Sequence, residues 1–188
     1  MKNTSKHLVE LVQLAMLAAV SVVLVAFVSI PLVPGAQFLR YDMADVPILI
    51  ATLLFGTVPG LIVLFITSTI QAFLFGGDGW VGLVMHFVAS GALVALTGEF
   101  YRHGHKMSRA VIGMAIGTVA MTAIMIPMNY IFTVHMFGQP KEMVDALMLP
   151  GIIPFNFLKA GINSILAGIL FKALQPFLQK NRHIVHQN

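Results

Sequence analysis

Apolar stretches recur along this chain at the length a helix needs to cross a bilayer, about 20 residues. The first begins near Leu8 and extends to about Ile30. It is too long for the core of a signal peptide and lacks a small-residue cleavage signal, so it is expected to persist as a helix. Only 10% of the residues are charged and 58% are hydrophobic, with a mean hydropathy of +0.90. A soluble domain carries roughly 25% charged residues. The fold class expected is therefore an all-α integral membrane protein, because a helix satisfies its own backbone in lipid.

Six membrane segments are predicted, as one transmembrane domain over 1–188: about 8–30, a short one at 45–57, then 60–75, 80–101, 108–135 and 151–177. Pro31 and Pro34 end the first, and the glycine cluster Gly76–Gly79 ends the third. Pro127 predicts a kink in the fifth. Lys2, Lys6, Arg102, Lys106, Arg109, Lys180 and Arg182 all fall on one side of such a bundle. The opposite loops hold Arg40 and Lys141 with Asp42, Asp45, Asp78, Glu142 and Asp145. Basic loops stay inside, so both termini are expected in the cytoplasm of a multi-pass cell-membrane protein. The net charge of +4 reflects this asymmetry and is no nucleic-acid signal.

Within the last segment stands one lysine, Lys159. A charge in hydrocarbon costs about 3 kcal/mol or more on insertion scales, so it must face a partner, a cavity or water. Asn156 and Asn163 flank it at spacings of three and four, on one helical face. Lys159 lies about 12 Å from the outer end of its helix. Asn129, just past Pro127, and Gln71 lie near the outer ends of their own helices. These groups share one depth zone and predict a solute pocket facing outward. The outer loop 31–45, with Arg40, Tyr41 and Asp42, is the expected lid.

Other functions find little support in the sequence. His86 and Ser90 lie four apart on one helix, but there is no Gly-x-Ser-x-Gly and no carboxylate is placed to orient the histidine. No metal-ligand spacing occurs, there are no cysteines, and no Walker-type phosphate loop is present, so the chain is not expected to be an enzyme, to hold a metal or cofactor, or to hydrolyse ATP. Trp80 is expected as an interface anchor. Ala15 and Ala19 form a small-x-x-x-small pair on the first helix; such a face suits either packing within the chain or docking of another membrane subunit.

Several motifs resemble the S components of energy-coupling factor (ECF) vitamin transporters. Leu39-Arg-Tyr-Asp-Met-Ala-Asp-Val-Pro47, then Phe55-Gly56 and Pro59-Gly60, is similar to the riboflavin-specific branch. So are Pro127-Met-Asn-Tyr130 and Pro154-Phe-Asn-Phe-Leu-Lys159. The resemblance implies a binding subunit that captures riboflavin from outside and works with a transmembrane coupling subunit and two cytoplasmic ATPases. It implies that Ala15 and Ala19 contact the coupling subunit. Asn129, Lys159 and Asn163 are the polar contacts expected to meet riboflavin directly, with Tyr41 and Asp42 over them and Arg40, Gln71 and Asn156 nearby.

Overall fold

The computed structural model describes residues 2–33, 36, 39–76 and 79–186, with the side chains of 2–6, 76, 175 and 177–186 left aside. Asp78 lies outside the described residues, as do four residues of the expected lid (34, 35, 37 and 38) and the side chains of Lys2, Lys6, Lys180 and Arg182.

Helix α1 (Lys2–Phe27) turns one narrow face inward, with Ala18, Ser21 and Val25 buried. The rest of its surface is apolar and bare, including Leu8, Val12, Met16, Val20, Val23 and Phe27. That arrangement would be costly in water and is natural in lipid, where hydrocarbon is the solvent. A two-residue antiparallel ladder follows, β1 (Ile30–Pro31) with β2 (Arg40–Tyr41). Then come α2 (Asp45–Phe55), α3 (Thr57–Ile70), α4 (Gly79–Arg102), α5 (Met107–Met128), a short α6 (Lys141–Leu147) and α7 (Ile153–His186).

Among the described residues, five helical stretches are long and apolar enough to cross a membrane, making this a multi-pass membrane protein. The sixth expected segment is different in kind. Helix α2 has 11 residues, about 16 Å of rise against a hydrocarbon core of about 30 Å. Nine of them, Asp45 to Leu53, are buried, and the helix packs on α1, α3, α4 and α7. It is the core around which the longer helices stand. Gly56, at φ 102°, reverses the chain into α3 in a conformation closed to L side chains. Helix α6, in the stretch before α7, had no counterpart in the sequence reading.

Three helices change pitch at one end of the bundle. The i→i+5 pattern occupies Gln71–Gly76 after α3, Asn129–Val134 after α5 and Met148–Ile152 before α7. The chain alternates direction, so all three lie at the end opposite the α4–α5 loop. Pro127 sits inside α5, two residues before the second of these segments. Each wide turn rotates the side chains that follow, and such segments are frequent at functional sites.

Helices α4 and α5 approach closely. A Cβ at Gly113 would meet the Leu96 carbonyl oxygen at 2.9 Å and the Thr97 Cα at 2.9 Å, and one at Gly117 would meet the Leu93 Cα at 3.0 Å. Backbone atoms cannot step aside without parting the helices. Gly113→Ala should therefore lower stability by about 1–3 kcal/mol, whereas Gly161→Ala, with nothing within 4 Å, should be neutral or slightly stabilising. Thermal unfolding of both variants in detergent checks the contrast.

Candidate functional site

The segment 41–45 is drawn into the bundle by a set of polar contacts from separate helices. Asp42 is 2% exposed. Its Oδ2 accepts from Lys159 Nζ of α7 at 2.8 Å and from Gln71 Nε2 at 3.2 Å. Its Oδ1 accepts from the Ala44 backbone N–H at 3.1 Å. One turn along α7, Asn163 donates to the Asp42 carbonyl at 3.0 Å and accepts from the Tyr41 hydroxyl at 3.0 Å. On α1, the Ser21 hydroxyl donates to the Ala44 carbonyl. Asp45, 1% exposed, faces His86 Nε2 of α4 at 3.4 Å. Burial, then the neighbouring Asp42 charge, raises the Tyr41 phenol above its usual range, so it remains a donor to Asn163.

Above this knot lies a cavity of about 830 Å³, within the usual range of about 300–1,000 Å³ for small-molecule sites. Lys159, Asp42, Gln71, Asn129, Asn156 and His86 supply polar wall. Met85, Met121, Met125, Phe75, Phe137 and Phe155 supply apolar wall. Asn129 donates to the Met125 carbonyl at 2.8 Å and accepts from Thr133 Oγ1 at 3.2 Å, while Asn156 donates to the Ile152 carbonyl at 2.7 Å. Each asparagine thus ties its amide to its own helix, which fixes the side chain in the wall. Such a cavity can enclose a largely apolar solute and meet a few polar edges. Among the described residues no group of three potential metal ligands occurs.

The structure brings most of the sequence-predicted residues to this one place. Lys159, Asn129, Gln71, Asn156, Asp42 and Arg40 all line the cavity. Arg40 does so from the rim, with its guanidinium bonded to Ser29. Tyr41 and Asn163 do not line it; they are bonded to each other and buried behind it. The expected lid also changes character, because Tyr41 and Asp42 are clamped inward by α7. Asp42 and Asp45, placed above among the charges of the outer loops, are buried. The absence of a carboxylate to orient His86 is likewise overturned by Asp45. Ser90 is buried and donates to Met121 Sδ at 4.0 Å. Trp80 is half exposed, edge-on to Phe132.

His86, Asp45 and Ser68 are polar parts of the site region that the sequence reading missed. The one available signal was the pair of carboxylates, Asp42 and Asp45, immediately before an apolar helix too short to span. Linear sequence offered no way to see that Lys159 and His86 were waiting for them.

Residues 9–171 match the family model for the substrate-specific component of the ECF transporter. The chain belongs to that family. Its members are transport components, and this one is built as a helical membrane protein of the same fold. The solved structure of the S component of a bacterial ECF transporter superposes with a TM-score of 0.78 at 30% identity, over 90% of this chain and 96% of that one. The riboflavin transporter RibU of Streptococcus thermophilus is 32% identical over 161 residues, 81% of this chain and 76% of the relative. RibU of Staphylococcus aureus is 29% identical over 157 residues, 80% and 82% of the two chains. The riboflavin transporter FmnP of Bacillus subtilis is 25% identical over 155 residues, 78% and 82%.

The geometry sets what a Lys159 substitution should do. Lys159→Met leaves the Asp42 carboxylate buried without its counter-charge and should destabilise the ligand-free protein by about 3 kcal/mol or more. Adding Asp42→Asn to Lys159→Met should recover most of that loss. Melting temperatures of the single and double variants test the coupling; equal losses in both would mean that the pair is not what holds the segment.

Proposed function

We propose that this S component binds riboflavin from the extracellular side and delivers it through an ECF-type importer. The single observation that carries the reading is the cavity itself: a ligand-sized space with Lys159, Asn129, Gln71 and Asn156 on its polar wall and methionine and phenylalanine on the rest. Riboflavin is neutral, with a flat, largely apolar ring system, a polar ring edge and a hydroxylated chain. Its relatives named above are riboflavin transporters. Riboflavin is the transported ligand here, not a cofactor. Because Asp42 already neutralises Lys159, a neutral solute can enter without bringing a counter-ion.

The cavity opens at the end of the bundle opposite the Arg102, Lys106 and Arg109 loop. With that loop in the cytoplasm, both termini are cytoplasmic and the cavity faces outward in the cell membrane. In this reading α2 is a sixth membrane segment that reaches only part of the depth, and the whole chain serves as one substrate-binding unit.

The partners are a transmembrane coupling subunit and two cytoplasmic ATPases. Ala15 and Ala19 are exposed on α1, whereas Ala18 is buried against the bundle. The small pair therefore faces away from this chain's own core, which favours its use as a docking stripe over internal packing. Ala15→Trp and Ala19→Trp should abolish co-purification with the coupling subunit and riboflavin uptake while sparing riboflavin binding. Loss of binding in those variants would assign the alanines to the subunit's own packing instead.

The ligand is tested directly. Detergent-purified protein should carry the yellow flavin absorption. Protein stripped by partial unfolding and refolded should quench riboflavin fluorescence saturably at one site. A refolded, monodisperse protein that leaves the fluorescence unchanged, yet takes up another vitamin by calorimetry, would replace riboflavin with that solute.

A further inference from the structure

One side of the cavity carries polar atoms that the protein leaves unanswered. Ser68 is 1% exposed, lines the cavity, and its Oγ has no hydrogen-bond partner among the described residues. Gln71 stands one turn further on the same strip, also on the cavity wall. Its Nε2 donates to Asp42, so its Oε1 is the free end, and that oxygen is likewise buried and unpartnered. The carboxylate decides this orientation: only the amide N–H can face it. His86 comes from α4, which packs against the segment that Gln71 begins. Its Nε2 faces Asp45, which can only accept, and the tautomer that donates to that carboxylate leaves Nδ1 as an acceptor. Nδ1 has no protein partner among the described residues.

Two carboxylates thus do the same job on neighbouring side chains. Asp42 turns the Gln71 amide, and Asp45 sets the His86 tautomer, so that each leaves an acceptor on a residue that lines the same cavity as Ser68. Buried polar atoms without partners cost about 1–3 kcal/mol each. Two of them, Ser68 Oγ and Gln71 Oε1, line one cavity and mark where a donor-rich part of a ligand belongs. We propose that Ser68, Gln71 and His86 form an acceptor wall that takes the hydroxyl-bearing end of the ligand, with Asp42 and Asp45 as the residues that position it. This rests on the flavin reading above. The isoalloxazine ring offers a single N–H donor, whereas the ribityl chain is a run of hydroxyls. The chain end therefore lies against α3 and α4, and the flat ring lies among the methionine and phenylalanine side chains.

The test compares riboflavin with lumiflavin, which keeps the ring system and replaces the ribityl chain by methyl. Fluorescence-quench titrations of the full-length protein in detergent give both affinities. Wild type should prefer riboflavin. Ser68→Ala should lower riboflavin affinity roughly three- to tenfold, the scale of one lost hydrogen bond, and leave lumiflavin affinity unchanged, whereas Gln71→Leu, which also removes a donor to Asp42, should lower riboflavin affinity more than lumiflavin affinity. Ser68→Ala removes one atom and keeps the inference testable if the larger replacement fails to fold. Asp45→Asn, which can face His86 with either end of its amide, should erode the same preference. Variants that weaken both ligands equally, or neither, would overturn the acceptor wall while leaving riboflavin binding intact. Uniform loss from Asp45→Asn alone would make that residue structural rather than positioning. A wild-type protein that binds neither flavin would overturn the flavin reading and this subsite together.

Discussion

The ion pair between Asp42 and Lys159 is the contact on which the end of the bundle opposite the α4–α5 loop depends. Neither charge could be kept alone in a membrane interior, and their attraction offsets desolvation only when the remaining valences are filled. Here they are. Gln71 and the Ala44 amide complete the carboxylate, while Asn163 and Tyr41 bind the backbone beside it. The consequence is mechanical. A connection that would otherwise pass over the membrane surface is pulled down between α1, α3, α4 and α7, and α2 starts from that depth. Being too short to span, α2 can be wholly enclosed, and the space left above it becomes the cavity.

The same pair sets the chemistry of that cavity. A lone lysine would demand an anionic solute; a paired one does not. Neutrality, combined with mostly apolar walls and a few fixed polar groups, suits a flat, uncharged ligand with limited polar edges. The wide helical turns beginning at Gln71 and Asn129 matter for the same reason. Each starts at a residue of the polar wall, where a change of pitch redirects the side chains entering the cavity.

Much of the cavity's polar lining was legible beforehand because membrane burial makes polar residues conspicuous. Lys159, Asn129, Asn156 and Gln71 stood out against hydrocarbon, and topology placed them at one depth. The depth of Asp42 and the role of Asp45 were not legible, for the converse reason. Acidic residues near a predicted helix end look hydrated, and only their distant partners, Lys159 and His86, hold them inside. Asn163 illustrates a further limit. Helical spacing puts it on the face of Lys159, yet Tyr41 reaches it first and closes it off from the cavity.

Composition and periodicity alone determined that this chain is a helical membrane protein, because long apolar runs with few charges have no other stable form in lipid. They also determined that an isolated lysine must be compensated. Which residue compensates it was decided by the tertiary structure, through a contact spanning from the first connection to the last helix. The tertiary structure likewise made α2 a buried core helix and made Asp45 the partner of His86. Those outcomes depend on distances between residues far apart in the chain, and local sequence carries no term for them.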